Sequence, residues 1–112
     1  MKRAVIHAHS ATYPDPINVR RGDALHLAGR EDSWDGHRWL WAIATDGREG
    51  WVPSDLPRCE HGHTTAAYDY SARELDVAPG SLVKVSKVSH GWAWCCNDRG
   101  LEGWIPLRVL SD

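Results

Sequence analysis

Apolar and polar residues alternate along this chain over short stretches, and each stretch soon ends at glycine, proline or aspartate. Strict alternation over about four to eight residues predicts a half-buried β-strand, because successive side chains of a strand point to opposite faces. The spacing of an amphipathic helix persists nowhere. Asp46-Gly47, between two alternating stretches, is a signal of a hairpin turn. The pattern therefore predicts an all-β fold built from short strands.

The first half of the chain is predicted to contain five extended segments, at residues 5–9, 17–19, 24–28, 38–44 and 50–53. Leu27 would point into the core from the third segment. Residues 30–38 are charged and contain glycine, which predicts a loop. In the fourth segment, Leu40 and Ala42 would point inward. Trp39 and Trp41 would then be exposed on the opposite face.

A four-residue motif occurs twice. Gly50-Trp51-Val52-Pro53 recurs as Gly103-Trp104-Ile105-Pro106, at an offset of 103 − 50 = 53 residues. Trp39 and Trp92 keep the same offset, 92 − 39 = 53. Length differences fall between the matched segments, as they do for loops on a shared scaffold. The chain is therefore predicted to contain two copies of one unit.

The repeat divides the 112 residues into a first repeat over 1–57 and a second repeat over 65–112. Residues 58–64 have no apolar pattern and are predicted to be a short linker. Units of this size have small cores. The seven tryptophans and the absence of phenylalanine fit a small core, since one buried indole contributes roughly 150–250 Å².

Charge and cysteine content exclude several classes of partner and compartment. The net charge of −2 does not favour binding to nucleic acid or to anionic membrane surfaces, so neither is predicted as a partner. An odd number of cysteines, three, predicts a reducing compartment rather than a disulfide framework. The N-terminus turns polar at His7, ahead of any signal-peptide core, so a cytoplasmic location is expected and binding of an external cell wall is not.

The second repeat resembles an SH3 domain over residues 65–112. The resemblance rests on five motifs in the family's order: Ala67-Tyr68-Asp69-Tyr70, Glu74-Leu75, Pro79-Gly80, Trp92 and Gly103-Trp104-Ile105-Pro106. The first repeat resembles a diverged SH3 domain over about residues 4–57, with His7 and His9 in the places of Tyr68 and Tyr70. The resemblance implies two small, five-stranded SH3-like barrels in tandem.

Resemblance to this family implies a protein-interaction module, because SH3 domains typically bind proline-rich peptides in a shallow aromatic groove. A polyproline segment has little conformational freedom to lose, and its rings pack flat on aromatic faces. The implied groove residues are Tyr68, Tyr70, Trp92, Trp104 and Pro106 in the second repeat, and His7, His9, Trp39, Trp51 and Pro53 in the first. Trp92 would donate its indole N–H to a peptide carbonyl, and Glu74 would pair with an Arg or Lys. The predicted partner is a proline-rich or extended peptide segment of another protein, with this chain as adaptor or subunit.

Departures from the family pattern predict weak or altered peptide recognition, above all in the first repeat. Val109 in the second repeat and Leu56 in the first replace the family's late groove tyrosine. Pro16 stands where the first repeat should carry its acid. Asp15 or the Glu31-Asp32-Asp35 segment would then have to substitute for it.

A structural role is the alternative to peptide binding. The aromatic faces of the repeats would then pack against each other, against a partner subunit or against a second copy of the chain. No residue stands in a recognisable catalytic motif, so no enzymatic activity and no cofactor are predicted. Cys59, His61 and His63 alternate and are good zinc ligands, but no CxxC pair accompanies them, and the sequence leaves metal binding by these three open.

Overall fold

A computed structural model describes residues 2–11, 15–34 and 36–111. These residues form β-strands and one 3-10 turn at Leu107–Val109, which confirms the all-β prediction. The strands are β1 (Lys2–Ala4), β2 (Asn18–Val19), β3 (Leu25–Trp34), β4 (His37–Ala44), β5 (Glu49–Pro53), β6 (Pro57–Glu60), β7 (His63–Ala66), β8 (Tyr70–Ser71), β9 (Leu82–Ser89), β10 (Trp92–Cys96) and β11 (Glu102–Pro106).

The chain folds as two compact units, of which only one is continuous in sequence. The terminal unit is formed from both ends of the chain, residues 2–11 and 73–111 among those described, and the inserted unit is the segment Asp15–Ala72. This division differs from the predicted boundaries at 57 and 65. The physical reason is that the opening strand of each repeat pairs with strands of the other repeat, β1 with β9 and β8 with β2.

The terminal unit is built on an antiparallel sheet in the order β1-β9-β10-β11. After β1 the chain continues extended, because the Val5 N–H donates to the Ser81 carbonyl at 2.8 Å and the Ile6 N–H donates to the Val109 carbonyl at 2.7 Å. The buried core of this unit consists of Val5, Leu75, Val83, Ala93, Cys95, Ile105, Val109 and Leu110. The N-terminal segment is therefore part of this core although it precedes the inserted unit.

The inserted unit contains the three-stranded sheet β3-β4-β5 and the two-stranded sheets β2-β8 and β6-β7. Strand β7 is linked to the turn before β3, since the Gly22 N–H donates to the Ala66 carbonyl at 2.8 Å and the Ala66 N–H donates to the Asp23 carbonyl at 2.9 Å. The most deeply buried side chains of the unit include Ile17, Ala42, Val52 and Leu56.

Within the described residues, the sheets are not the two closed five-stranded barrels that the resemblance implied. Where closure of a barrel would need a continuous ladder of paired residues, each unit has an isolated single-residue bridge. Val5 bridges to Leu110 in the terminal unit, and Ala24 bridges to Thr65 in the inserted unit. The opening strands are too short to pair along a whole neighbour, so the sheets stay separate.

Residues 30–38 were predicted to be a loop and instead form most of a long hairpin arm. Strand β3 continues to Trp34, and β4 begins at His37. The Arg38 Nε lies 2.5 Å from the Glu31 carboxylate and ties the two strands together. The prediction was wrong because the arm is mostly exposed and polar, so no apolar alternation marks it.

A bulge separates this arm from the rest of β3. The register of β3 against β4 shifts between Leu27 and Glu31, and Gly29 there adopts a φ of 79°. A bulge of this kind bends its strand and re-aims the side chains that follow. Leu27, the last paired residue before the bulge, was predicted to be in the core and is instead 38% exposed.

Residues 58–64 were predicted to be a linker and instead form the β6–β7 hairpin, in which Cys59 pairs with Thr64. His61 and Gly62 occupy the turn with φ values of 52° and 79°. Positive φ at both central residues is the requirement of a type I′ turn, which matches the twist of the flanking strands. The chain therefore reverses here instead of spacing two domains apart.

Candidate functional site

His9, Glu74 and Trp92 meet in the terminal unit. The backbones of His9 and Val77 exchange two hydrogen bonds, of 3.0 and 2.8 Å, which fixes the position of the imidazole. The His9 Nε2 lies 2.7 Å from the Glu74 Oε1, and the two side chains are only 15% and 10% exposed. The imidazole also meets Trp92 edge to face, with ring centroids 5.6 Å apart and planes at 77°. The result is a hydrogen-bonded imidazole–carboxylate pair against an indole.

Glu74 is held in this place by its backbone. The Trp104 N–H donates to the Arg73 carbonyl at 2.8 Å, and the Leu75 N–H donates to the Trp104 carbonyl at 3.1 Å. The segment passes so close to β11 that a Cβ on Gly103 would lie 2.7 Å from the Leu75 nitrogen. Because the Glu74 carboxylate already bonds to His9, a basic residue of a ligand would have to compete with the imidazole for it.

The aromatic side chains of this unit follow the β10–β11 ladder. Trp92 is half-buried and lies opposite Pro106, and Trp94 lies opposite Trp104. Trp94 and Trp104 meet edge to face at 5.3 Å, and the ammonium of Lys87 stands 5.5 Å from the Trp104 ring centroid. Trp104 is only 6% exposed. Trp92 is thus the predicted groove tryptophan that stays accessible in this unit.

Tyr68 and Tyr70 lie in the inserted unit. Tyr70 is 8% exposed and pairs with Val19 through β8 and β2. The Tyr68 hydroxyl donates to the Asp55 Oδ1 at 2.7 Å. Burial raises the pKa of Tyr68 well above its usual value, and the hydrogen bond and the charge of Asp55 raise it further. The Tyr68 hydroxyl therefore remains a hydrogen-bond donor at neutral pH.

The prediction that Trp39 and Trp41 are exposed was wrong. They are 5% and 9% exposed, because other side chains of the inserted unit cover them. Trp34 stacks on Trp39 with centroids 5.0 Å apart and planes 3° apart. Trp41 meets Trp51 edge to face at 5.1 Å. The tryptophans of this unit thus form a packed cluster.

Polar groups complete this cluster. The Trp41 indole N–H donates to the Glu49 Oε1 at 2.7 Å. The guanidinium of Arg30 stands 4.6 Å from the Trp41 ring centroid and 5.3 Å from that of Trp51, within the range of a cation–π contact. Pro53, opposite Trp39 in the ladder, is buried as well.

The two predicted sets of groove residues exchange members in the structure. The terminal unit brings together His7, His9, Glu74, Trp92, Trp104 and Pro106, and the inserted unit brings together Trp39, Trp51, Pro53, Tyr68 and Tyr70. His7 is exposed and belongs to the terminal unit by its place in the chain. Each candidate groove therefore combines residues from both sequence repeats.

The proposed substitutes for the missing acid of the first repeat have partners in the inserted unit. Asp15 lies 3.1 Å from the Arg48 Nε, and Glu31 pairs with Arg38. Asp32 accepts a hydrogen bond from the Ser33 N–H at 2.8 Å. The third member of that segment, Asp35, lies outside the described residues.

Sequence reasoning missed four side chains that shape these sites: Trp34, Arg30, Lys87 and Asp55. Trp34 and Arg30 fell in a segment read as a loop. A large aromatic residue in an otherwise charged segment was the available signal, since such a residue needs a surface to pack against. Nothing in the local pattern pointed to Lys87 or Asp55.

Metal binding by Cys59, His61 and His63 was left open by the sequence. Among the described residues, no group of three or more His, Cys, Asp or Glu side chains is arranged to hold a metal ion. The hairpin separates the three, because His61 lies in the turn itself. All three cysteines carry free thiols, Cys95 buried and Cys59 exposed. Burial raises the pKa of the Cys95 thiol to about 11, against the nearby charge of Arg3, which lowers it.

The helical structure of the described residues is one three-residue 3-10 turn, so no helix there has the length of a transmembrane span. The comparisons with curated proteins and with solved structures returned no match. Residues 5–56 match the family model of the variant SH3 domain, a segment that contains Trp39 and Trp51. SH3 domains are non-catalytic interaction modules that generally bind proline-rich peptides. The match covers about half of the chain and supports an SH3-like domain within it.

Proposed function

We propose that the chain is an adaptor or subunit with two SH3-like units that binds proline-containing or extended peptides of another protein. The observation that carries the proposal is half-buried Trp92, which lies opposite Pro106 and edge-on to the His9–Glu74 pair. An indole beside a proline ring is a flat apolar surface, and polyproline rings pack on such a surface at little entropic cost.

The chemistry of the groove follows from these side chains. The Trp92 indole N–H is the proposed donor to a peptide carbonyl. The Glu74 carboxylate is bonded to His9, so a basic ligand residue gains less from it than from an unpartnered acid. We therefore propose that proline content, more than a flanking Arg or Lys, determines binding. A reducing, cytoplasmic location, expected from the odd number of cysteines, is part of the proposal.

Calorimetric titration of the intact protein with decaproline tests this function. Trp92→Ala should weaken binding by at least about tenfold, as expected for loss of a central aromatic contact. Leu101→Ala is the matched control, because Leu101 is 44% exposed and lies beyond Glu102, at the opposite end of the β10–β11 hairpin. Absence of saturable binding by the folded wild-type protein, or equal binding by the two variants, would reject the proposal.

A structural role is the second candidate, favoured by the burial of Trp39 and Trp104 at 5% and 6% exposure. In that case the remaining aromatic surface would pack against a partner subunit or a second copy of the chain. Sedimentation velocity distinguishes the two functions. A stable dimer at micromolar concentration that does not bind decaproline supports the structural role, and a monomer that binds the peptide supports recognition.

A further inference from the structure

We propose that the inserted unit is closed to peptides by its own Trp34, which covers the face of Trp39 on which a ligand proline would pack, and that the terminal unit is therefore the one that binds. The inference rests on the proposed function and deepens it, because it assigns binding to one of two related grooves.

The ring geometry carries the first step. Trp34 and Trp39 stack in parallel, with planes 3° apart and centroids 5.0 Å apart. The same Trp34 ring meets Trp51 edge to face at 5.6 Å. Trp34 thus contacts two of the residues predicted for the groove of the first repeat. A proline ring binds an indole through the same flat face, so Trp34 and a ligand proline compete for one surface.

The long β3–β4 arm explains how Trp34 reaches this position. Trp34 pairs with His37 in the ladder, and Trp39 is two residues further along the partner strand. Diagonal neighbours of this kind lie on one face of the sheet, within reach of aromatic side chains. The Glu31–Arg38 ion pair links the two strands of the arm near its end.

Arg30 covers two further tryptophans of the inserted unit, Trp41 and Trp51. Its guanidinium stands over Trp41 and Trp51, at 4.6 and 5.3 Å from the ring centroids. Side chains from both ends of the arm therefore lie on the tryptophans of the inserted unit. A peptide would have to displace an aromatic ring and a cation to reach them.

The terminal unit has a shorter hairpin at the corresponding place. Gly22 and Trp39 are 39 − 22 = 17 residues apart, whereas Gly80 and Trp92 are 92 − 80 = 12 apart, so the first repeat carries five extra residues. Ser89 pairs with Trp92, and this pair closes the β9–β10 hairpin. Across residues 82–96, all of which are described, no strand residue extends past Trp92 to cover it.

The test is an NMR titration of the intact protein with decaproline, following the assigned indole N–H signals. In the wild type, Trp92 should reach half-saturation at a lower peptide concentration than Trp39 and Trp51. In Trp34→Ala, the half-saturation point of Trp39 and Trp51 should fall by about 2- to 12-fold, the range that corresponds to loss of one aromatic pair. The Trp92 signal should be unchanged by the substitution.

Two further variants distinguish the uncovering of Trp39 from a general disruption of the β3–β4 arm. Trp34→Leu keeps an apolar side chain on the arm but removes the flat ring, and it should give the same direction of change. Ser33→Ala, on an exposed neighbour of Trp34, should behave as the wild type. If the half-saturation points of Trp39 and Trp51 are the same in the wild type and in both Trp34 variants, the inference is overturned while peptide binding stands. No indole shift in any of the folded proteins would overturn the proposed function itself, and the inference with it.

Discussion

Gly103→Ala should destabilise the terminal unit, because the glycine makes room for a neighbouring backbone. A Cβ at this position would lie 2.7 Å from the Leu75 nitrogen and 2.8 Å from the Glu74 carbonyl carbon. Both are main-chain atoms, so relief requires a shift of the backbone and not a change of rotamer. That backbone is held by the Leu75 N–H donating to the Trp104 carbonyl and the Trp104 N–H donating to the Arg73 carbonyl.

The expected cost follows from these contacts. Overpacking of this kind costs about 1–3 kcal/mol, and alanine regains about 0.5–1 kcal/mol over glycine in a strand through chain entropy. Strain in the two hydrogen bonds, each contributing about 0.5–1.5 kcal/mol, adds to the loss. The free energy of unfolding should therefore fall by about 1–3 kcal/mol, and the Glu74 carboxylate should move relative to His9.

Gly50→Ala is the matched control from the other copy of the motif. A Cβ on Gly50 would lie 3.5 Å from the Ile17 Cγ2, an ordinary van der Waals distance to a side chain. This variant should be neutral or up to about 1 kcal/mol more stable than the wild type.

Native-state amide hydrogen exchange gives the required measurement for each unit separately, with Ile105 reporting on the terminal unit and Val52 on the inserted unit. Gly103→Ala should speed exchange at Ile105 and leave Val52 unchanged. Equal protection at Ile105 in Gly103→Ala and Gly50→Ala would refute the close approach of residues 73–75 to β11.

Two further predictions concern the independent folding of the inserted unit and the pH dependence of stability. The fragment 15–72 should fold alone with a cooperative urea transition, because it contains every strand of the inserted unit; a disordered fragment by circular dichroism would contradict the exchange of opening strands. At alkaline pH the folded protein should lose about 2 kcal/mol of stability between pH 9 and 11, because burial raises the Cys95 pKa from 9.0 to about 11 and the folded state retains a proton that the unfolded chain releases. Urea midpoints measured across this range should fall less steeply in Cys95→Ala than in Cys96→Ala, and parallel slopes would argue against that assignment.

The strands that carry local alternation could be predicted from the sequence. The pairing of Trp92 with Pro106 follows from two adjacent strands and the short turn between them, all within one stretch of chain. The exchange of opening strands could not be predicted. Residues 5–9 and 66–70 have similar patterns, and a period of two fixes which face is buried but not which neighbour the strand joins.

The contacts within the candidate sites could not be predicted either, because they join segments that are far apart in the sequence. His9 and Glu74 are 65 residues apart, with the whole inserted unit between them in sequence. Alternation correctly placed Trp39 and Trp41 on one face of β4. It carried no information on Trp34 and Arg30, which cover that face from an arm with no apolar period of its own.

The interrupted terminal unit has a consequence for synthesis on the ribosome. The inserted unit is complete once residue 72 has emerged, whereas Val5, which bridges to Leu110, must wait for the 110 − 72 = 38 residues that follow. At roughly 5–20 residues per second this interval is about 2–8 s, longer than the milliseconds to about one second in which a small β domain folds. The middle of the chain would therefore fold before its beginning, and Val5, which is buried in the finished unit, would stay exposed throughout this interval as a site for chaperone binding.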